Sequence, residues 1–292
     1  MTAGPASDGS AWPAPAKLNL MLRILGRRPD GYHRLQTIFQ FIDRQDRLWF
    51  EVRRDGLIRR CSPVAGVPER LDLTLRAAHA LQELTGCRLG ADIRIDKVLP
   101  LGGGLGGGSS DAATTLVALN HLWGLHLSQD ALASLGLGLG ADVPVFVRGL
   151  AAWGEGVGED LSPVVLPEPW YLVVVPPCQV PTGAVFGHPK LTRDSLPVTL
   201  ADFLLGARGN DCLPVVSSGY PQVAAALEWL NAQGQGRLTG TGACCFAEFA
   251  DQGSARAALG RLPPQFDGFV ARGLNRSPLL DRLVDGESTL PR

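Results

Sequence analysis

The stretch Ala16-Lys17-Leu18-Asn19-Leu20-Met21-Leu22 alternates between apolar and polar side chains with period two, the pattern of a half-buried strand. It predicts Ala16, Leu18, Leu20 and Leu22 on one face, with Lys17 and Asn19 together on the other. Residues 27–31 break the pattern as a turn, and 37–41 and 46–52 read as two further strands. Apolar spacing near 3.6 predicts a helix over 71–84, and alternation returns at 91–95. A helix over 109–122 follows, with serine at its start as a cap and Ala112, Leu116, Leu119 and Leu122 along one face. Another runs over 128–139 and stops at Gly140-Ala141-Asp142-Val143-Pro144. Beyond about residue 161 the texture changes. Strands are predicted at 170–175, 244–249 and 268–272, and helices at 222–232 and 253–262. Strands and helices alternate in both halves, so the class is α/β or α+β, with no internal repeat.

Composition adds one anomaly. Glycine fills 36 of the 292 positions, about 12% against a usual ~7%. Six of the seven residues from Gly102 to Gly108 are glycine. A 45% apolar and 19% charged composition excludes a disordered chain or a coiled coil, and no triplet glycine period supports collagen. Net charge is −1, without a basic stripe, which argues against nucleic acid as a partner. The six cysteines form no Cys-x-x-Cys pair and read as buried reduced thiols rather than zinc ligands or disulfides. A Pro/Ala/Gly/Ser leader without a basic start, and no long apolar run, give the expectation of a cytoplasmic protein that does not enter membranes.

The glycine cluster lies between a predicted strand and a strong helix. Glycine lets backbone approach a ligand closely, and a helix N-terminus offers unpaired N–H groups, so the pair suits phosphate. A plain linker would not sit so tightly between two elements. The formal Gly102-x-Gly104-x-x-Gly107 match to the dinucleotide fingerprint is weak, because any glycine run satisfies it. Where that fold needs a strand ending in an acidic residue, the chain reads Leu125-His126-Leu127-Ser128, a helix start. No Gly-Lys-Ser/Thr closes the loop either, so it is not a Walker A loop. What remains is a kinase-type loop that works through backbone and Ser109/Ser110.

Pro100-Leu-Gly-Gly-Gly-Leu-Gly-Gly-Gly-Ser-Ser110 resembles the second motif of the GHMP kinases. Pro15-Ala-Lys-Leu-Asn19 is similar to their first motif and Thr239-Gly-Thr-Gly-Ala-Cys244 to their third. Four further stretches point to the branch acting on a cytidine-diphosphate-linked polyol: Arg28-Pro-Asp-Gly-Tyr-His33, Leu35-Gln-Thr-Ile-Phe39, Gly140-Ala-Asp-Val-Pro-Val-Phe146 and Glu155-Gly-Val-Gly-Glu159. The resemblance spans about residues 15–280. It implies an α+β fold of two domains: 1–160, like the second domain of ribosomal protein S5 and carrying the ATP loop, and 161–292, ferredoxin-like. It also implies a kinase that uses ATP and Mg2+ on a sugar-alcohol 2-hydroxyl in isoprenoid precursor synthesis. The oligomeric state is left between monomer and homodimer.

Phosphoryl transfer needs positioning, charge stabilisation and a group to take the alcohol proton. The resemblance gives the last role to Asp142, whose alternative is a capping aspartate, and pairs it with Lys17, otherwise a solvated strand lysine. Lys97, Pro100, Leu101, Gly102, Gly103, Gly104, Leu105, Gly106, Gly107, Gly108, Ser109 and Ser110 form the implied ATP side, with Lys97 flanking the adenine and Ser110 a candidate oxygen near the metal. Asn19, Tyr32, His33, Phe39, Thr182 and Phe186 form the implied substrate side, with Tyr32 stacking on the base, Phe186 closing its other side and His33 contacting the cytidine diphosphate portion. Composition alone would make Phe186 a core residue. Asp72 and Asp111 stand where asparagine is common in the family, and Leu213 where an acidic residue is; Asp72 bears on the adenine contact. Competing readings are a mevalonate- or homoserine-type kinase, a nucleotide-binding sensor without turnover, and, most distant, a dehydrogenase.

Overall fold

A computed structural model describes residues 11–64 and 66–287; most of the Pro/Ala/Gly/Ser leader lies outside them. Two long strands, β1 (Trp12–Arg27) and β2 (His33–Arg53), pair antiparallel from Trp12–Leu48 to Arg27–His33. The remaining strands are β3 (Ile58–Arg60), β4 (Gly90–Asp96), β5 (Ala152–Glu155), β6 (Asp160–Pro163), β7 (Trp170–Val175), β8 (Arg237–Leu238), β9 (Cys245–Phe249) and β10 (Asp267–Leu274). They join one sheet in the order β3-β4-β2-β10-β7-β9-β8, with β1 and β5 also on β2 and β6 on β5. Every pairing between these strands is antiparallel except β3 with β4. The link between the halves is β10, which pairs with β7 and then reaches β2 at Gly273–Ile42 and Leu274–Phe41.

Among the described residues ten α-helices cover the sheet: α1 (Leu73–Thr85), α2 (Gly107–Leu122), α3 (Gln129–Leu137), α4 (Val143–Arg148), α5 (Thr182–Gly187), α6 (Leu200–Leu204), α7 (Leu213–Gly219), α8 (Pro221–Asn231), α9 (Gln252–Leu259) and α10 (Pro278–Glu287). None among the described residues is long and apolar enough to cross a membrane.

The period-two pattern of β1 places Lys17 and Asn19 on one side, as read, but the strand is not half-buried. It runs through three apolar cores: Trp12 and Ala14 pack with α1–α4, Ala16, Leu18, Leu20 and Met21 with Tyr171 and Phe246, and Leu22 and Ile24 with α7 and α8. Both faces are therefore covered, and Lys17 and Asn19 are buried polar groups that need partners. The strands expected at 37–41 and 46–52 are one strand. The polar break between them, Asp43 and Arg44, is a bulge: the register shifts between Pro15–Gln45 and Ala16–Ile42, and both side chains turn to solvent. On β7, Leu172 and Val174 serve one core and Tyr171 and Val173 another, which explains its unbroken apolar run.

Two local expectations change. The serine at the start of α2 is not its cap: Gly106, in the left-handed region at φ +74°, begins the helix, and no side chain caps it. The cysteines are all free, as expected, but only Cys212, Cys244 and Cys245 are buried; Cys61 is exposed.

Candidate active site

Lys17 is the centre of the arrangement. Its Nζ forms an ion pair with the carboxylate of Asp142 at 3.1 Å and donates to Asn19 Oδ1 at 2.5 Å and to the Gly104 carbonyl at 3.2 Å. Its side chain is only 3% exposed, against 35% for that of Asp142. A dry ammonium thus faces a carboxylate that is open on its other side. The solvated-lysine alternative is excluded. Asp142 stands at the N-cap of α4, yet its side chain makes no capping hydrogen bond and turns to Lys17 instead. The constrained Gly140-Ala-Asp-Val-Pro turn, with Pro144 in the first helical turn, fixes where that carboxylate points.

Asn19 is held as firmly. Its Nδ2 donates to Thr37 Oγ1 at 2.8 Å, and its backbone N–H to Thr239 Oγ1 at 3.0 Å. Thr239 in turn donates to the Gly104 carbonyl at 3.1 Å. The glycine loop is bonded to both neighbours through its backbone: Lys17 N–H to the Leu105 carbonyl (3.0 Å), and Cys244 N–H to the Gly103 carbonyl (3.1 Å). The three glycine- and lysine-bearing motifs of the sequence are therefore stitched into one structure. Gly104 and Gly106 both need a positive φ, and a Cβ on Gly106 would lie 2.6 Å from the Phe146 ring. The N–H groups of Gly107, Gly108 and Ser109 have no protein acceptor among the described residues, as expected of a first helical turn.

The loop separates two hollows. On one side is a cleft of about 570 Å3, whose wall includes Lys17, Asn19, Gly104, Ser109 and Asp142. Tyr32, His33, Phe39, Thr182 and Phe186 line the same cleft. On the other side is a recess of about 200 Å3 lined by Val64, Leu71, Leu73, Leu101, Lys97 and Asp111, among others. Lys97 lines this recess, but its ammonium is already committed: Nζ bonds Asp46 at 2.5 Å and Asp111 at 2.6 Å. Burial pulls its pKa down, and the charges of Asp111 and Asp46 outweigh that and raise it. Asp46 also accepts the N–H groups of Val98 and Leu99. Asp72, the departure beside the recess, has both oxygens engaged: Oδ1 takes the Thr74 N–H and hydroxyl as the cap of α1, and Oδ2 takes Arg60 at 2.6 Å.

The base end is more mixed. Tyr32 is 63% exposed in the β1–β2 turn. Phe186 is neither a pure core residue nor a free one. It packs on the second apolar core, lines the cleft and stacks on His33 with ring centroids 5.2 Å apart. Phe39 is buried, with Lys17 Nζ 5.6 Å from its ring centre. Thr182 shares a 3.1 Å hydroxyl contact with Thr241. Ser110 does not reach the cleft: it is fully buried inside α2, and its hydroxyl lacks a partner, whereas Ser109 lines the cleft wall. No group of three or more His, Cys, Asp or Glu side chains suited to a metal occurs among the described residues. The sequence reading missed Asp46 and Arg193. Asp46 is an ordinary strand aspartate until Lys97 is brought to it, and Arg193 reaches His33 only because the chain folds back over 160 positions.

Residues 72–150 match the family model described as the GHMP kinases N terminal domain, and residues 199–267 that described as GHMP kinases C terminal. The chain is 60% identical to the 4-diphosphocytidyl-2-C-methyl-D-erythritol kinase of Alkalilimnicola ehrlichii, over 96% of this chain and 97% of that protein. It is 56% identical to the protein of the same name from Halorhodospira halophila, over 97% and 99%. A solved structure of a 4-(cytidine 5'-diphospho)-2C-methyl-D-erythritol kinase aligns with a TM-score of 0.79 at 32% identity, covering 90% of this chain and 98% of that one.

Proposed function

The chain belongs to the GHMP kinase family, and from that premise we propose that it moves the γ-phosphoryl group of ATP to the 2-hydroxyl of 4-diphosphocytidyl-2-C-methyl-D-erythritol. The reaction belongs to isoprenoid precursor synthesis by the non-mevalonate route, and the enzyme works in the cytoplasm. One observation carries the reading: a Lys17–Asp142 pair opens onto a cleft that the aromatic group Tyr32, His33 and Phe186 also lines. A substrate with an alcohol at one end and a nucleobase at the other fits that layout. Mevalonate and homoserine have no base for the aromatic group.

In this reading the bound hydroxyl lies against Asp142, which takes its proton as the oxygen attacks the γ-phosphorus and the bond to ADP breaks. Lys17 stays charged and offsets the negative charge gathering on the carboxylate and the transferring group. The free N–H groups of Gly107, Gly108 and Ser109 at the N-terminus of α2 receive the phosphates. The recess beside Leu101 and Lys97 takes the adenine against the apolar side chains of Val64, Leu71, Leu73 and Leu101. The donor set suits a hard cation shared with ATP rather than a protein-held one: a single open carboxylate, Asp142, with the Ser109 hydroxyl in the same cleft wall. Mg2+ there would neutralise phosphate charge. A division near residue 160 puts the alcohol and phosphate groups mainly on the first domain and the Phe186 wall on the second.

The test is an ADP-release assay comparing the cytidyl substrate, mevalonate and homoserine. Turnover confined to the cytidyl compound is expected. Turnover of mevalonate alone would remove the substrate assignment and leave the family intact.

A further inference from the structure

Arg193, on the loop after α5, is bound more tightly than any surface arginine needs to be. Its Nη1 donates to the Leu191 carbonyl at 3.0 Å, and Nη2 to the carbonyls of Phe186 and His188 at 2.8 and 2.9 Å. Its Nε donates to His33 Nε2 at 3.0 Å. One guanidinium thus ties the aromatic wall at Phe186 to the histidine stacked against it.

The chemistry of the His33 contact has only one solution. A guanidinium has five N–H donors and no acceptor, and it stays protonated across the working range of proteins. The ring nitrogen facing it must therefore present a lone pair. A neutral imidazole has one lone pair and one N–H, so a lone pair at Nε2 puts the proton on Nδ1. An imidazolium would set one N–H against another. Nδ1 has no hydrogen-bond partner among the described residues, and His33 lines the cleft, so the donor is left for a ligand. The charged groups facing His33 are Arg193 and, from the end of β1, Arg27. Burial first, then these two charges, holds its pKa below the ordinary histidine value.

We propose that Arg193 is a positioning residue that locks His33 as the neutral Nδ1–H tautomer, so that the base end of the cleft offers a fixed donor. That donor selects a pyrimidine whose N3 is a bare acceptor, as in cytosine, over one whose N3 carries a proton, as in uracil. The inference rests on the substrate reading above for its choice of base, and on the Arg193–His33 contact alone for the tautomer. A mismatched donor facing a donor leaves both groups unpaired in a partly buried site, which disfavours the wrong base strongly.

Two measurements separate the lock from the substrate. Histidine 15N NMR of the free wild-type enzyme should show His33 in the Nδ1–H form, with a midpoint below the ordinary ~6.5. In Arg193→Met the midpoint should rise towards that value and the Nε2–H form should appear. In parallel, kcat/KM is compared for the cytidine- and uridine-diphosphate-linked polyols. The cytidine preference should fall at least about tenfold in Arg193→Met, with Arg193→Lys, which keeps a donor, retaining more of it. A merely structural role would lower both substrates together and leave the ratio fixed; that outcome overturns the proposal. So does an Nε2–H His33 in the wild type, a result that needs no variant to fold. A wild type that phosphorylates neither diphosphate overturns the choice of base, while the spectrum of the free enzyme still decides the lock.

Discussion

Lys17 and Lys97 flank the same glycine loop and look alike on paper. Each is a strand-end or strand lysine in an alternating run, and each is buried against a carboxylate. A methyl group on Gly106 would touch Lys17 Cε at 3.1 Å, and one on Gly107 would touch Lys97 Nζ at 3.2 Å. Their partners differ. Lys17 faces Asp142, whose second side is open to the cleft. Lys97 faces Asp46 and Asp111, which are almost wholly enclosed, and Asp46 also fastens the backbone just before the loop. The same ion-pair chemistry therefore does two jobs. On the open side it leaves a carboxylate that lines the cleft; on the closed side it fixes the loop's entry.

That contrast can be broken by removing one partner at a time. Asp142→Asn should cost about 10²–10⁴-fold in kcat, with only a small fall in melting temperature because Asn19 and the Gly104 carbonyl still accept from Lys17. Near-normal turnover would show that the open pair does no chemistry. Lys97→Met should do the reverse in kind. It leaves two buried carboxylates without their cation and should lower stability by about 3–5 kcal/mol, read by urea unfolding. A variant as stable as wild type would mean the closed pair holds nothing. Gly106→Ala bears on the open side, since its φ of +74°, the Phe146 ring and Lys17 Cε leave no room for a Cβ. We expect a loss of about 1–3 kcal/mol and a raised KM for ATP.

The smallest effect is the most specific. Burial raises the carboxyl pKa of Asp111 above its ordinary range, against the pull of Lys97 and with the push of Asp46. The native state then holds this proton more tightly than the unfolded chain does. Its contribution to stability is complete below the unfolded carboxyl pKa of about 4 and is lost as pH rises through the raised native value. Asp111→Asn removes that loss, so the variant's melting temperature relative to wild type should climb between pH 5 and pH 8. A fall over the same range would mean the native state prefers the charged carboxylate.

The open side was the more legible of the two. The period-two run placed Lys17 and Asn19 on one face, and the glycine cluster with its motif neighbours marked the loop, because local pattern and short-range spacing encode both. Asp46 and Arg193 were invisible for the opposite reason. Each acquires its role only from a partner far along the chain, and neither lies in an unusual run. The helix start at α2 was misplaced because a serine there reads as a cap, whereas a glycine with positive φ opens the helix and leaves Ser109 for the cleft. Burial on both faces of β1 was also unreadable, since alternation reports one apolar face and says nothing about what covers the other.

The path of β1 through three cores has a consequence for how the chain comes to exist. The strand is completed by residues far along the chain: Asn19 bonds Thr239, which is 220 positions away, and β2 beside it is joined by β10. Contacts of such separation form late and slowly, because a long loop must close before they return any energy. A nascent or half-folded chain therefore has the lysine, the loop and the aspartate in its first half without the turn that holds them together. It should not burn ATP to no purpose while it waits on the ribosome for its second half.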